Sequence, residues 1–109
     1  MDINIREQYV DSIMGFMNVV GHKAAEHFND LELRQEELKI AIPSYFYRNW
    51  VATQKAMFNV GTVNFDKYMG MQIVEGYEDK IVVYFPDWIY CPKFEPIKFE
   101  IPQNIKATL

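Results

Sequence analysis

His22, Glu26 and His27, two histidines and a glutamate within six residues, are a set of ligand-type side chains. Such residues hold zinc when they share one helix face at steps of three or four. His22 and His27 are five apart, about 140° round a helix axis, so they cannot grip one ion together. The order is also one residue longer than the inverted His-x-x-Glu-His arrangement of some zinc peptidases. His22 and Glu26 do share a face, at the spacing of an ordinary surface pair. No metal site is expected. Cys91 is the single cysteine, which excludes an intrachain disulfide and fits a reducing compartment. A catalytic thiol sits in an electropositive setting such as a helix N-terminus. Cys91 instead precedes Pro92 in an aromatic stretch and reads as a small packed hydrophobe. The sequence holds no Gly-x-Gly-x-x-Gly, no Walker loop and no Gly-x-Ser-x-Gly. No catalytic residue and no cofactor is therefore expected, and an enzyme built on Cys91 or on His22 and His27 is only a third reading.

Aromatic side chains carry the stronger signal. Tyr45, Phe46, Tyr47 and Trp50 cluster in one segment; Tyr84, Phe85, Trp88, Tyr90 and Phe94 cluster in another. A helix has one core-facing stripe, so Tyr45, Phe46 and Tyr47 in succession cannot all point inward. Trp88 and Tyr90 follow the Pro86-Asp87 break, where deep burial of every ring is not expected, and Trp and Tyr are enriched at interface hot spots. Tyr45, Tyr47, Trp50, Trp88 and Tyr90 are the resulting candidates for contact with a partner. Phe99 joins them because 97–101, bounded by Pro96 and Pro102, reads as an edge strand able to accept a strand from another chain.

The elements that must position these rings follow from periodicity. Val10, Ile13, Met14, Met17, Val20, Ala24 and Phe28 recur at steps of three and four, predicting an amphipathic helix from residue 5 to about 28. Gly15 and Gly21 inside it imply close packing. Asn29-Asp30 stops it, and a short helix is expected over 31–38. Residues 38–42 read as a short strand or extended linker before Pro43. Ser44 caps a second main helix over 44–59, closed by Gly61. From 62 onward the period falls to two, with the clearest strands at 71–75 and 80–85. They are expected to pair as a hairpin through 76–79, where Gly76 and Asp79 supply turn chemistry. The fold class is α+β: two main helices packed on a small, mainly antiparallel β-sheet, as one domain spanning 1–109, with a helical half 1–60 and a β-rich half 61–109.

Half of the 109 residues are hydrophobic and 24% are charged, a balance that excludes disorder. A net charge of −4 gives no footprint for nucleic acid. With no basic and then apolar region in the first residues and no run of eighteen apolar residues, neither a leader peptide nor a membrane span is expected. Location in a host-cell cytoplasm or a virion is the expectation.

The run Phe65-Asp66-Lys67-Tyr68-Met69-Gly70-Met71-Gln72-Ile73-Val74, followed by a turn and Lys80-Ile81-Val82-Val83-Tyr84-Phe85, resembles a hairpin of small phage-encoded proteins. The resemblance covers about twenty residues and implies a virion, assembly or accessory component. Together with the surplus rings it yields a leading expectation: a non-enzymatic protein-binding or assembly module, homo-oligomeric or docking on another phage or host protein. The alternative is a small acidic inhibitor of a host enzyme, anti-CRISPR-like or otherwise anti-defence, using Glu36, Glu37, Glu78 and Asp79. Its affinity would fall steeply with salt.

Overall fold

The computed structural model describes residues 1–5, 10–58 and 66–109. The expected helix stop at Gly61 and the strand near 62–65 lie outside the described residues. Along the chain run β1 (Asp2–Asn4), α1 (Ile13–Asp30), β2 (Lys39–Pro43), α2 (Ser44–Phe58), β3 (Lys67–Tyr68), β4 (Met71–Gly76), β5 (Lys80–Tyr84), β6 (Ile97–Glu100) and α3 (Gln103–Lys106). The class is α+β, as expected.

α1 starts eight residues later than the apolar spacing suggests. Ser12 is extended, at φ −145° and ψ 157°, and its hydroxyl accepts from the Gly15 amide at 3.0 Å, so the helix nucleates on that cap. Ile5 and Val10 are buried without being helical, which is how the periodicity overran the cap. Gly21 lies close against the β3-β4 hairpin: a Cβ there would meet the movable thioether of Met69 and come within 3.1 Å of the Tyr68 ring. The short helix expected over 31–38 is replaced by a tight chain reversal. Leu31 and Leu33 amides both bond the Phe28 carbonyl, Glu32 takes φ of 67°, and a single 3-10 turn follows at Gln35–Glu37.

Among the described residues the strands form one mixed sheet in the order β1-β6-β5-β2-β4-β3. β1 is parallel to β6 and β2 to β4; the β2-β5, β3-β4 and β5-β6 pairs are antiparallel. Two expectations are corrected here. β4 and β5 do not pair as a hairpin: β2 lies between them, matching Ile40 with Ile73 on one side and with Val83 on the other. Nor is β6 an edge strand, because β1 covers its free side through Asp2, Ile3 and Asn4. The tight hairpin is β3-β4, whose two loop residues Met69 and Gly70 have φ of 51° and 85°. Positive φ at both positions is what a type I′ turn requires.

The two long helices lie on one face of this sheet. Ile40, Ile42, Ile81, Val83, Ile97 and Phe99 are fully buried on that face, against Phe16, Met17, Val20 and Phe28 of α1 and Phe46 and Trp50 of α2. Phe16 and Phe46 meet edge to face at 5.8 Å, and Trp50 meets Tyr68 at 5.1 Å. Each such ring or branched chain contributes roughly 1.5–3 kcal/mol through removal from water. The opposite face alternates out of phase. One cross-strand row there runs Val74, Ala41, Val82, Lys98, Asp2.

Residues 77–79 must span two interstrand gaps, about 9.6 Å, to carry the chain over the end of β2. Gly76 begins that crossing beside Pro43, and a Cβ on it would approach the backbone of Ile42 at 3.0 Å and Pro43 at 3.1 Å. Because the neighbour is central-strand backbone, it cannot yield. Gly76→Ala is expected to destabilise the fold by about 1–2 kcal/mol, read as a lower urea midpoint at unchanged slope. An unchanged midpoint would contradict the close approach.

Candidate docking surface

β5 and β6 are antiparallel neighbours, yet twelve residues, 85–96, connect them. The sequence of this loop explains its shape. Pro86 ends the strand, and two consecutive 3-10 turns follow, Trp88–Tyr90 and Pro92–Phe94. Trp88 and Tyr90 amides bond the carbonyls of Phe85 and Asp87, both at 3.0 Å, and the Phe94 amide bonds that of Cys91 at 2.9 Å. At the base of the loop Phe85 and Phe94 stack edge to face at 5.3 Å, with the Lys93 ammonium 4.9 Å over the Phe94 ring. Two rings thus anchor the loop and leave its tip outside. Trp88, Ile89 and Tyr90 are 36%, 70% and 84% exposed, three consecutive large apolar side chains in water.

Trp88 also borders a cavity of about 460 Å³ on the helix-free side of the sheet, where Val82, Tyr84 and Pro96 supply apolar lining. By register Val82 belongs to the outward row of β5, so the cavity opens on the face that α1 and α2 leave uncovered. An exposed turn and a shallow apolar hollow therefore share one patch.

The other candidates divide. Trp50 is 2% exposed and Phe99 0%, both inside the core, so neither can meet a partner. Their positions follow from the topology: Trp50 lies on the inner stripe of α2, and Phe99 is flanked by Ile81 and Ile3. Tyr47 is half-buried, edge to face with Trp50 at 6.3 Å, and lines a smaller cavity of about 290 Å³ with Ile42 and Ile73. Cys91 is half-buried at the junction of the two 3-10 turns. His22 is exposed, and His27 packs edge to face on Phe28 at 5.0 Å. Among the described residues no three His, Cys, Asp or Glu side chains gather into a metal site, and no helix is long and apolar enough to cross a membrane.

Tyr45 belongs to a different cluster, one that sequence spacing does not show. Its hydroxyl donates to Asp79 of the β4-β5 crossing, and the Lys106 ammonium of α3 donates to the same carboxylate at 2.5 Å. Burial first, then the bond to Asp79, holds the Tyr45 hydroxyl far above the usual tyrosine range. The bonds from Lys106 and then Tyr45 hold the Asp79 carboxyl below the usual aspartate range. One carboxylate thus ties α2, the crossing and α3 together. Glu78 is likewise paired, accepting from Lys98 at 2.8 Å.

A lowered folded pKa means stability that is present above about pH 4 and is lost as pH falls through the folded value. The Asp79 side chain is 58% exposed, so solvent screening limits the effect of Asp79→Asn to under about 1 kcal/mol at neutral pH. Urea unfolding at about pH 7 and about pH 2 should show that deficit at the first and a smaller one at the second. A deficit of equal size at both would contradict the charge pairing.

Comparison with protein-family models, with curated proteins and with solved structures finds no match for the chain.

Proposed function

We propose that the chain is a non-enzymatic protein-binding module that docks through the Trp88–Tyr90 turn and the sheet face beside it. The observation that carries this reading is the run of three exposed apolar side chains, held out by a loop whose own base is packed. Leaving such groups in water is unfavourable for an isolated domain, and contiguous exposed apolar area marks an interaction site. Trp88 and Tyr90 supply rigid rings with a polar tip, the side-chain type that anchors protein interfaces.

The inhibitor reading has less support. Glu78 and Asp79 are engaged by Lys98 and Lys106, and the Glu37 carboxylate accepts from the Arg34 amide at 2.9 Å. Acids already bonded within the chain, two of them to lysines, are poorly placed to imitate a phosphate backbone. A place in virion assembly rests on the hairpin resemblance of 65–85, and the separation of those strands by β2 weakens it. The proposal therefore centres on docking itself.

A photo-crosslinking residue placed at position 89, compared with one at exposed Glu26 on the helical side, tests it in cells expressing the chain. Position 89 is expected to give a discrete protein adduct that position 26 does not. No adduct from 89, or the same adducts from both, would overturn the reading.

A further inference from the structure

Resting on that docking reading, we propose that the occupant of the surface is a second copy of the chain. The pair is closed and two-fold, each copy seating Ile89 and Tyr90 in the cavity beside Trp88 of the other.

Three observations lead there. The first is that projection and hollow are adjacent. The turn Trp88–Tyr90 stands at the border of the 460 Å³ cavity that Trp88 itself lines. Its volume falls within the roughly 300–1,000 Å³ of sites that take a small organic ligand, and so admits a side chain. When projection and hollow lie far apart on a molecule, head-to-tail docking generates larger rings or open chains. When they share one patch, a two-fold axis between them satisfies both at once and the assembly closes.

The second is charge. Lys98 pairs with Glu78 at 2.8 Å, Lys80 with Asp2 at 3.5 Å, and the Met1 ammonium with Glu95 at 3.3 Å, all on the helix-free face or its border. Asp87 and Lys93 of the loop are again one of each sign. A face whose charges cancel locally can be laid against itself without like-charge repulsion. The chain as a whole carries −4, so a random face brought against its copy meets net repulsion. Lys39 and Glu100, which the register also puts on this face, are one of each sign, so a strongly basic or acidic partner finds no net charge among the described residues here to steer it.

The third is the character of the hollow. Val82, Tyr84, Trp88 and Pro96 supply apolar lining that matches what Ile89 and Tyr90 bring, while the ion pairs Met1–Glu95 and Lys98–Glu78 complete the lining and suit the tyrosine hydroxyl.

Sedimentation of the full chain from micromolar to millimolar concentration tests this, with the Ile89→Ser, Tyr90→Ser double variant beside it. Both positions are largely exposed, so the variant's thermal melt at low concentration should match the wild type. The wild type is expected to pass from monomer to dimer and no further. The variant should need at least about tenfold more protein to do so, the loss expected for one interface anchor. A wild type that stays monomeric, one that grows beyond a dimer, or a variant that pairs equally well would each overturn self-docking. A monomeric wild type whose position-89 crosslinker still captures a different protein would remove self-docking alone. Without any such adduct the docking reading falls as well.

Discussion

Everything else in the fold depends on β2 occupying the gap between β4 and β5. Its Ile40 and Ile42 are fully buried, and it is hydrogen-bonded on both sides, so it is the strand about which the sheet is organised. Once it is there, 77–79 has to pass over its end, Gly76 has to lie against its backbone, and Asp79 is carried to the position where α2 and α3 converge. A local hairpin would have required none of these. The close approach at Gly76 and the shared carboxylate at Asp79 follow from one non-local pairing.

The same arrangement sorts the aromatic residues. Helices stacked on a single face give the sheet one dry side, and that side takes Phe16, Phe28, Phe46, Trp50 and Phe99. Rings outside it must pack locally or remain wet. Phe85 and Phe94 pack on each other; Tyr45 finds a carboxylate; Trp88 and Tyr90 have neither the inner face nor a long element to shelter them. Part of the surplus thereby gathers in one patch on the long connection between β5 and β6, while Tyr77, 92% exposed, stands apart on the β4-β5 crossing.

Much of this was legible in the residues. Pro43 and Ser44 mark the start of α2, and the three- and four-residue steps mark the body of α1, since both signals are local. The start of α1 was misplaced because Ile5 and Val10 are buried outside any helix, and apolar spacing records burial rather than conformation. β1 has only three residues, one of them apolar, and its partner lies at the far end of the chain, so no window of sequence contains the pairing. The hairpin expectation failed for a related reason: Gly76 is as suited to a close backbone approach as to a turn, and only the presence of β2 decides between them. For the candidate site, the excess of rings is visible in the residues, and the Pro86-Asp87 break marks Trp88 and Tyr90, 36% and 84% exposed, as rings without a long element to bury them. Trp50 and Phe99 were not separable from them, because shelter for both comes from strands distant in sequence. The partnership of Tyr45, Asp79 and Lys106 left no trace in spacing.

The parallel match of β1 with β6, Asp2 facing Lys98, has a consequence for how the protein is made. During translation β1 leaves the ribosome well before its neighbour exists, because Lys98 follows Asp2 by 96 positions. Until then the nascent chain carries an unclosed flank at β5, whose Ile81 and Val83 wait for Phe99 and Ile97. Closure of the sheet thus waits for the synthesis of β6, and contacts this remote in sequence are slow to form.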